Sequence, residues 1–375
     1  MIYLDSAATS RFKPRKVLQA QYKYTARSAN AGRGSHREAI RISSEIEETR
    51  RLISEYLGKK RVIFTKNCTE ALNLFLFGSD IRGEVLTSPF EHNSVLRPLK
   101  KLERDGKIRM KFFPRNVLSV TPEDVENHIT SRTALVAVSH VSNVTGSVQD
   151  VAKIGEICRE KRIKFLCDMA QSLGHVETEY DKIDVIAASG HKGLHGPQGT
   201  GILAISDDIR LKPLILGGTG TSTIDLIQPE TYPDGYESGT QNAAGIIALK
   251  EGFLWTVKRI DKIGKKLAYL TKYLIRELKE CGMISVITPD DAYSGVVSFN
   301  IRGMRSVTVA DILDKEYGIA VRAGLHCAPM VHKTLGTLET GAVRVSMDVD
   351  TTKKEIDRLV LAIKEIVAVE RSKYR

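Results

Sequence analysis

Cysteine is scarce. The 375 residues hold five (68, 158, 167, 281 and 327), with no Cys-x-x-Cys pair and one left over under full pairing. That excludes a disulfide scaffold and leads us to expect a reduced, cytoplasmic protein. Aromatic residues make up only 6% of the chain and tryptophan occurs once. No RNP-like or helix-turn-helix pattern stands out, so direct nucleic-acid binding is not expected. Long apolar runs are also missing: stretches such as Leu74–Phe77 and Ala134–Val138 fall far short of the ~20 residues of a membrane helix. Asp5 follows only Met1 and the three apolar residues Ile2, Tyr3 and Leu4, so the N-terminus is not expected to act as a secretory signal.

What is present is ordinary for a globular protein, 42% hydrophobic and 27% charged. A chain of this length buries roughly three quarters of its unfolded surface. The formal charge of +11 is spread over Arg11–Lys16, Arg97–Arg115 and Lys258–Lys279, interleaved with acids. This reads as a solvated basic surface, with attraction of anionic ligands or an acidic partner as the alternative.

Short β-rich runs alternate with amphipathic segments through the middle of the chain. Strands are expected at Arg61–Thr65, Glu84–Thr87, Arg109–Pro114, Ala134–His140, Lys164–Asp168, Val185–Ser189 and Gly201–Ile205. Helices are expected at Thr69–Phe77, at Thr121–Ile129 with Pro122 in its first turn, and at Val151–Lys161. Ser35–Leu57 lines up Ile42, Ile46, Ile53 and Leu57 on one stripe and stops at Gly58. Such alternation implies an α/β fold with a mostly parallel sheet covered on both faces. The texture changes near residue 255. Lys258–Cys281, Thr308–Tyr317 and Thr351–Val367 read as helices, with strands at Val296–Ile301, Ile319–Arg322 and Val343–Met347. We therefore expect a large domain over 15–255 and a smaller α+β domain over 256–375, joined by 1–14. The glycine-rich Leu216–Thr223 reads as a loop.

In open α/β sheets ligands bind at the carboxyl ends of the strands, and polar residues crowd there. Lys192 follows a strand in Ser189-Gly190-His191-Lys192 and could form a Schiff base with an aldehyde cofactor, or be a plain loop lysine. Asp168 ends a strand. It could keep a pyridine nitrogen protonated, or simply cap a turn. Asn67–Thr69 opens a helix and offers N–H groups and a hydroxyl to a phosphate. His92 could stack on a flat ring or be solvated. Cys327 lies in Arg322–Pro329 beside His326 and near Arg322, positive neighbours that can favour thiolate, though a free cysteine can also be an inert buried one. Arg344 could bind a carboxylate in bidentate fashion. No metal site is expected. His191 and His195 are four apart, but Gly193, Gly196 and Pro197 argue against the helix this spacing needs. His326, Cys327 and His332 lack a fourth ligand.

These pieces occur in one order along the whole chain: Tyr3–Thr9, Asn67–Glu70, Glu91–Ser94, Ser139–Gly146, Asp168–Ser172, Ser189–Lys192, Glu237–Thr240 and Arg322–Pro329. Together they resemble the cysteine desulfurases, class V aminotransferase enzymes that use pyridoxal 5′-phosphate (PLP). The resemblance implies PLP-dependent transferase fold type I, a three-layer αβα large domain with a smaller α+β domain, assembled as a homodimer. It implies that Lys192 holds PLP, Asp168 faces its ring nitrogen and His92 stacks on the ring. Gln171 and Asn143 would reach the phenolic oxygen. Cys68 in the phosphate loop, with Thr69, Ser189, His191 and a neighbouring subunit's Thr240, would surround the phosphate. Asn143, Arg322 and Arg344 would meet the carboxylate of L-cysteine. Cys327 would take the substrate sulfur as a persulfide, leaving alanine. The short span from Arg322 to Cys327 is similar to the group with a compact cysteine loop, which passes sulfur to an acceptor protein, for instance toward iron–sulfur cluster assembly. Leu325 stands where that group often has a second histidine, and Cys68 where Thr or Ala is commoner. Selenocysteine lyase, with L-selenocysteine as substrate, or another class V enzyme is the alternative within the fold. A non-catalytic basic binding protein is the alternative outside it.

Overall fold

A computed structural model describes residues 1–32, 34–114, 118–220 and 224–372. Residues 221–223 of the expected glycine-rich loop lie outside the described residues. The strands are β1 (Ile2–Tyr3), β2 (Arg61–Thr65), β3 (Gly83–Thr87), β4 (Ile108–Phe112), β5 (Thr133–Ser139), β6 (Lys164–Asp168), β7 (Val185–Ser189), β8 (Gly201–Ile205), β9 (Ile284–Val286), β10 (Val296–Ile301), β11 (Ile319–Ala320), β12 (Arg322–Gly324) and β13 (Ala342–Ser346).

β2 to β8 make one sheet in the order β2-β8-β7-β6-β5-β3-β4. Only β8 runs against the others, so β2, β3, β5, β6 and β7 all end at the same edge. The strand interiors are buried on both faces (Val85, Leu86, Leu135, Val136, Phe165, Leu166, Val185, Ile186), which is why they read as continuous apolar runs. Ile42, Ile46, Ile53 and Leu57 pack one stripe of the helix Arg37–Leu57 into the core, and Gly58 closes it in the left-handed conformation. Thr121 and Asp124 form a reciprocal capping box ahead of Pro122–His128. These local signals are strong, and the structure follows them.

The C-terminal part carries an antiparallel sheet in the order β12-β13-β10-β9. Helices Ile260–Glu280, Ser306–Tyr317 and Lys353–Ser372 accompany it. Its apolar cluster takes in Ile2 and Leu4 from the other end of the chain, because β1 pairs in parallel with β11. The single strand expected over Ile319–Arg322 is in fact two. β11 binds β1 while β12 binds β13, so the chain changes partner at Val321. Among the described residues no helix is long and apolar enough to cross a membrane.

One glycine fixes how the loop after β5 meets the antiparallel sheet. Gly146 has φ +69°, and a Cβ there would stand 2.2 Å from the Val296 carbonyl oxygen. The close approach lets Ser298 Oγ donate to the Val144 carbonyl at 2.6 Å and Ser294 Oγ to that of Gly146 at 2.8 Å. Asn143 is thereby held between the two sheets.

Candidate active site

The loops leaving β2, β3, β5, β6 and β7 surround a cavity of about 520 Å³, counted to its open mouth. Cys68, Thr69, His92, Asn143, Asp168, Gln171, Ser189, His191 and Lys192 all line it. Residues separated by up to 124 positions meet because their strands end together. Cys327, Arg322, Arg344 and Thr240 are not in its wall.

The Lys192 amine makes no hydrogen bond or ion pair among the described residues. Burial pushes its ammonium below the ordinary lysine value, helped by Arg344 and Arg322 and opposed by Cys68 and Asp168. An amine shifted this way is a better nucleophile at neutral pH. Asp168 accepts the Ala170 N–H at 2.9 Å and the Cys68 thiol at 3.4 Å, both on Oδ1. Its Oδ2 has no such partner. Asp168 therefore does cap the turn at Ala170, with an oxygen to spare. Cys68 was expected at the phosphate. Its backbone opens the helix Cys68–Gly78, but its thiol turns to Asp168, and burial holds it protonated.

His92 is the N-cap of the helix Asn93–Arg104, where Nδ1 accepts the Ser94 N–H at 3.1 Å. Burial, with the charges of Lys192, Arg322 and Arg344, pushes its pKa below the ordinary value. A neutral ring whose Nδ1 accepts carries its proton on Nε2. His191 bonds Thr9 Oγ1 through Nδ1 at 3.0 Å, and burial takes its pKa down to about 4. The hydroxyls of Thr69 and Ser189 spend no hydrogen bond within the described chain. Gln171 Nε2 donates to the Ala7 carbonyl at 3.1 Å, which brings the N-terminal segment to the cavity.

Cys327 lies in an adjoining groove that shares Thr69, His92 and Ser94 with the cavity. Its thiol is the one exposed cysteine among the five. Asn143 Nδ2 donates to the His326 carbonyl and the Asn93 N–H to the Cys327 carbonyl, each at 2.7 Å. Both residues adopt positive φ, 50° and 57°, so the loop is pinned in a tight, strained turn. One expectation is overturned here. His326 does not supply positive charge to Cys327: it is buried, its Nε2 donates to the Ala342 carbonyl at 3.0 Å, and its pKa falls to about 3. Arg344 also differs from a free carboxylate clamp. It is 1% exposed and already bonded to Asp5 Oδ1 at 2.8 Å and to the Asn143 carbonyl at 3.1 Å. Arg322 pairs with Arg344 across β12 and β13 and has no acid partner among the described residues.

A family model for aminotransferase class-V matches residues 2–359. A probable cysteine desulfurase of Methanothermobacter thermautotrophicus is 35% identical over 98% of this chain and 95% of its own. The chain belongs to the cysteine desulfurase family of class-V aminotransferases. A probable cysteine desulfurase of Pyrococcus abyssi is likewise 35% identical, over 99% of this chain and 96% of its own. The solved apo structure of a cysteine desulfurase from Thermococcus onnurineus superposes with a TM-score of 0.89 at 34% identity, covering 98% of this chain and 94% of that one.

The family depends on PLP, and the cavity fits it. An unbonded lysine, a carboxylate oxygen without a partner, two unspent hydroxyls and a helix N-terminus converge on it, a donor set suited to an aldehyde, a ring nitrogen and a phosphate. Two supporting residues were not singled out by sequence reasoning. Asp5, which pairs with Arg344, and Glu91, which accepts from Ser139, act through contacts with residues far along the chain that leave no local sequence signal.

Glu91 is buried beneath the cavity, accepting from Ser88 Oγ at 2.5 Å, from the Ser139 N–H at 3.0 Å and from Ser139 Oγ. Burial raises its pKa from 4.5 to about 7 despite those bonds. The folded state thus keeps a proton that the unfolded chain has released. The stability from this group is full below the unfolded value and is lost as pH rises toward the folded one. Glu91→Gln should flatten the fall in melting temperature between about pH 5 and about pH 7. An unchanged profile in thermal denaturation would show that Glu91 is ionised in the fold.

Proposed function

We propose that the chain is a PLP-dependent cysteine desulfurase, converting L-cysteine to L-alanine and holding the sulfur as a persulfide on Cys327. The observation that carries this reading is the exposed Cys327 thiol, pinned through Asn143 to the cavity that Lys192 and Asp168 line. Lys192 would hold PLP, with Asp168 Oδ2 at its ring nitrogen, His92 against the ring and Gln171 near its phenolic oxygen. Thr69, Ser189 and His191 would hold the phosphate. When bound, PLP supplies an electron sink for bonds broken at the substrate α-carbon. Arg322 and Arg344, paired across β12 and β13, would offer positive charge to the substrate carboxylate. Cys327 Sγ bonds the substrate sulfur as the Cβ–S bond breaks. The electron pair stays on carbon, which gains a proton and ends as alanine.

The same reading extends to assembly and surroundings. Thr240 is exposed and lines a separate hollow with Thr65, Lys66 and Glu70. Leu216, Ile224 and Leu226 nearby are 70%, 98% and 102% exposed, an apolar edge suited to a second copy of the chain that brings its Thr240 to the neighbouring phosphate. We include in the proposal a homodimer in the cytoplasm, a sulfur-acceptor protein, and a division into 15–255 and 256–375 with 1–14 added to the latter. The test is direct: PLP-loaded protein given L-cysteine and a reductant should release alanine and sulfide in equal amounts. Alanine without sulfide, or no alanine, would overturn the reading.

A further inference from the structure

Away from the Lys192 cavity, three side chains from distant parts of the chain converge. His175 lies in the turns after β6, His195 in the loop after β7, and Asp348 just past β13. Their ligating atoms all lie within 4.8 Å of one another. Asp348 and His195 are 0% exposed and His175 is 9% exposed. His195 Nε2 stands 3.0 Å from Asp348 Oδ1, and His175 Nε2 stands 3.4 Å from the same oxygen. The first contact is a hydrogen bond. The second lacks the alignment of one, and both His175 Nε2 and Asp348 Oδ2 are left without a hydrogen-bond partner.

That pattern is costly if nothing else belongs there. Asp348 is a fully buried carboxylate with two imidazoles against it. No lysine or arginine pairs with it among the described residues. Lys13, whose ammonium feels Asp348, bonds instead to Ser10 Oγ at 2.6 Å and to the His191 carbonyl at 3.2 Å. Buried charges are paired or coordinate metals. Donor atoms around a tetrahedral ion with bonds of ~2.0–2.1 Å sit about 3.3 Å apart, and 3.0 Å and 3.4 Å bracket that spacing. The other nitrogen of His195, Nδ1, is 2.9 Å from Thr256 Oγ1, the kind of outer bond that sets the orientation of a ligating imidazole. Phe12 and Trp255 enclose the ring at centroid distances of 6.0 and 5.3 Å, keeping bulk water away.

We propose that His175, His195 and Asp348 form a binding site for one divalent ion of the zinc class. Two imidazole nitrogens and one carboxylate suit zinc, iron, cobalt or nickel rather than magnesium or calcium. The ion joins the loop three residues beyond Lys192 to the segment just past the strand that bears Arg344. The inference does not rest on the desulfurase reading, since none of its three ligands lines the Lys192 cavity.

The test uses the full-length, PLP-loaded protein in a Cys327→Ser background, so that the exposed thiol cannot bind metal. After stripping with a chelator, it is titrated with cobalt and then with zinc. One cobalt per chain is expected, with weak visible bands in the difference spectrum, displaced by one equivalent of zinc that raises the melting temperature. Asp348→Asn and His175→Gln should each weaken zinc binding at least a hundredfold, and His191→Ala should leave it unchanged. Retention of the ion by both ligand variants would place it elsewhere and overturn the proposal. So would a chelator-stripped Cys327→Ser protein, its three ligands intact, that takes up neither cobalt nor zinc.

Discussion

Cys327→Ala is expected to keep the yellow colour of the bound cofactor and to bind L-cysteine, yet to form no persulfide. Alanine production should drop by on the order of a thousandfold or more, because a positioned nucleophile replaces an encounter worth many powers of ten in effective concentration. The other thiols cannot substitute. Cys158 and Cys167 are buried in a helix and a strand, with burial pushing the first up to about 12 and the second well above the ordinary value. Cys68 is committed to Asp168, and Cys281 is buried at the end of the helix Ile260–Glu280. Mass spectrometry after cysteine treatment should find the added sulfur on Cys327 alone. Sulfur on another cysteine, or wild-type turnover in the variant, would end the mechanism. Undiminished cleavage of selenocysteine by Cys327→Ala, with cysteine cleavage lost, would point to the lyase instead, since selenium leaves without help from a thiol. Beside this thiol, His326 is buried and neutral. Arg344 is near enough to interact with the thiol.

Lys192→Ala should lose the covalently held cofactor and reduce turnover by roughly a thousandfold or more, the scale of removing a nucleophile and proton carrier together. In the wild type, borohydride should fix PLP to the chain, and peptide mapping should locate it on Lys192. An adduct on any other lysine would refute the assignment, as would undiminished alanine formation by the variant. The physical basis is that burial lowers the Lys192 pKa and that no carboxylate in the described chain ties up its amine. Lys13, lowered to about 8 by burial, is the nearest rival by that criterion, but its ammonium is already hydrogen-bonded.

The strands and their site-bearing ends were legible because their signals are local. A run such as Lys164–Asp168 or Val185–Ser189 is continuously apolar through its interior since both faces are covered, and the polar residues that end it and follow it mark the sheet's carboxyl edge. The helix Asn93–Arg104 was less legible, because Pro98 sits inside it and a proline there normally argues against a helix. The split of Ile319–Arg322 was not legible at all: β11 is set by pairing with residues more than three hundred positions away, which leaves no period in the local sequence.

By itself, the sequence determined the α/β alternation, the order of the motifs and which residue types stand after each strand. All of these follow from side-chain patterning over a few neighbours. Only the tertiary structure decided which partners those residues would meet. Asp5 engages Arg344 from 339 positions away, His326 is buried as a neutral donor, and His195 turns from His191 to His175 and Asp348. Charge state and coordination depend on burial and on contacts across the fold, and those exist only once the two sheets have packed around their common edge.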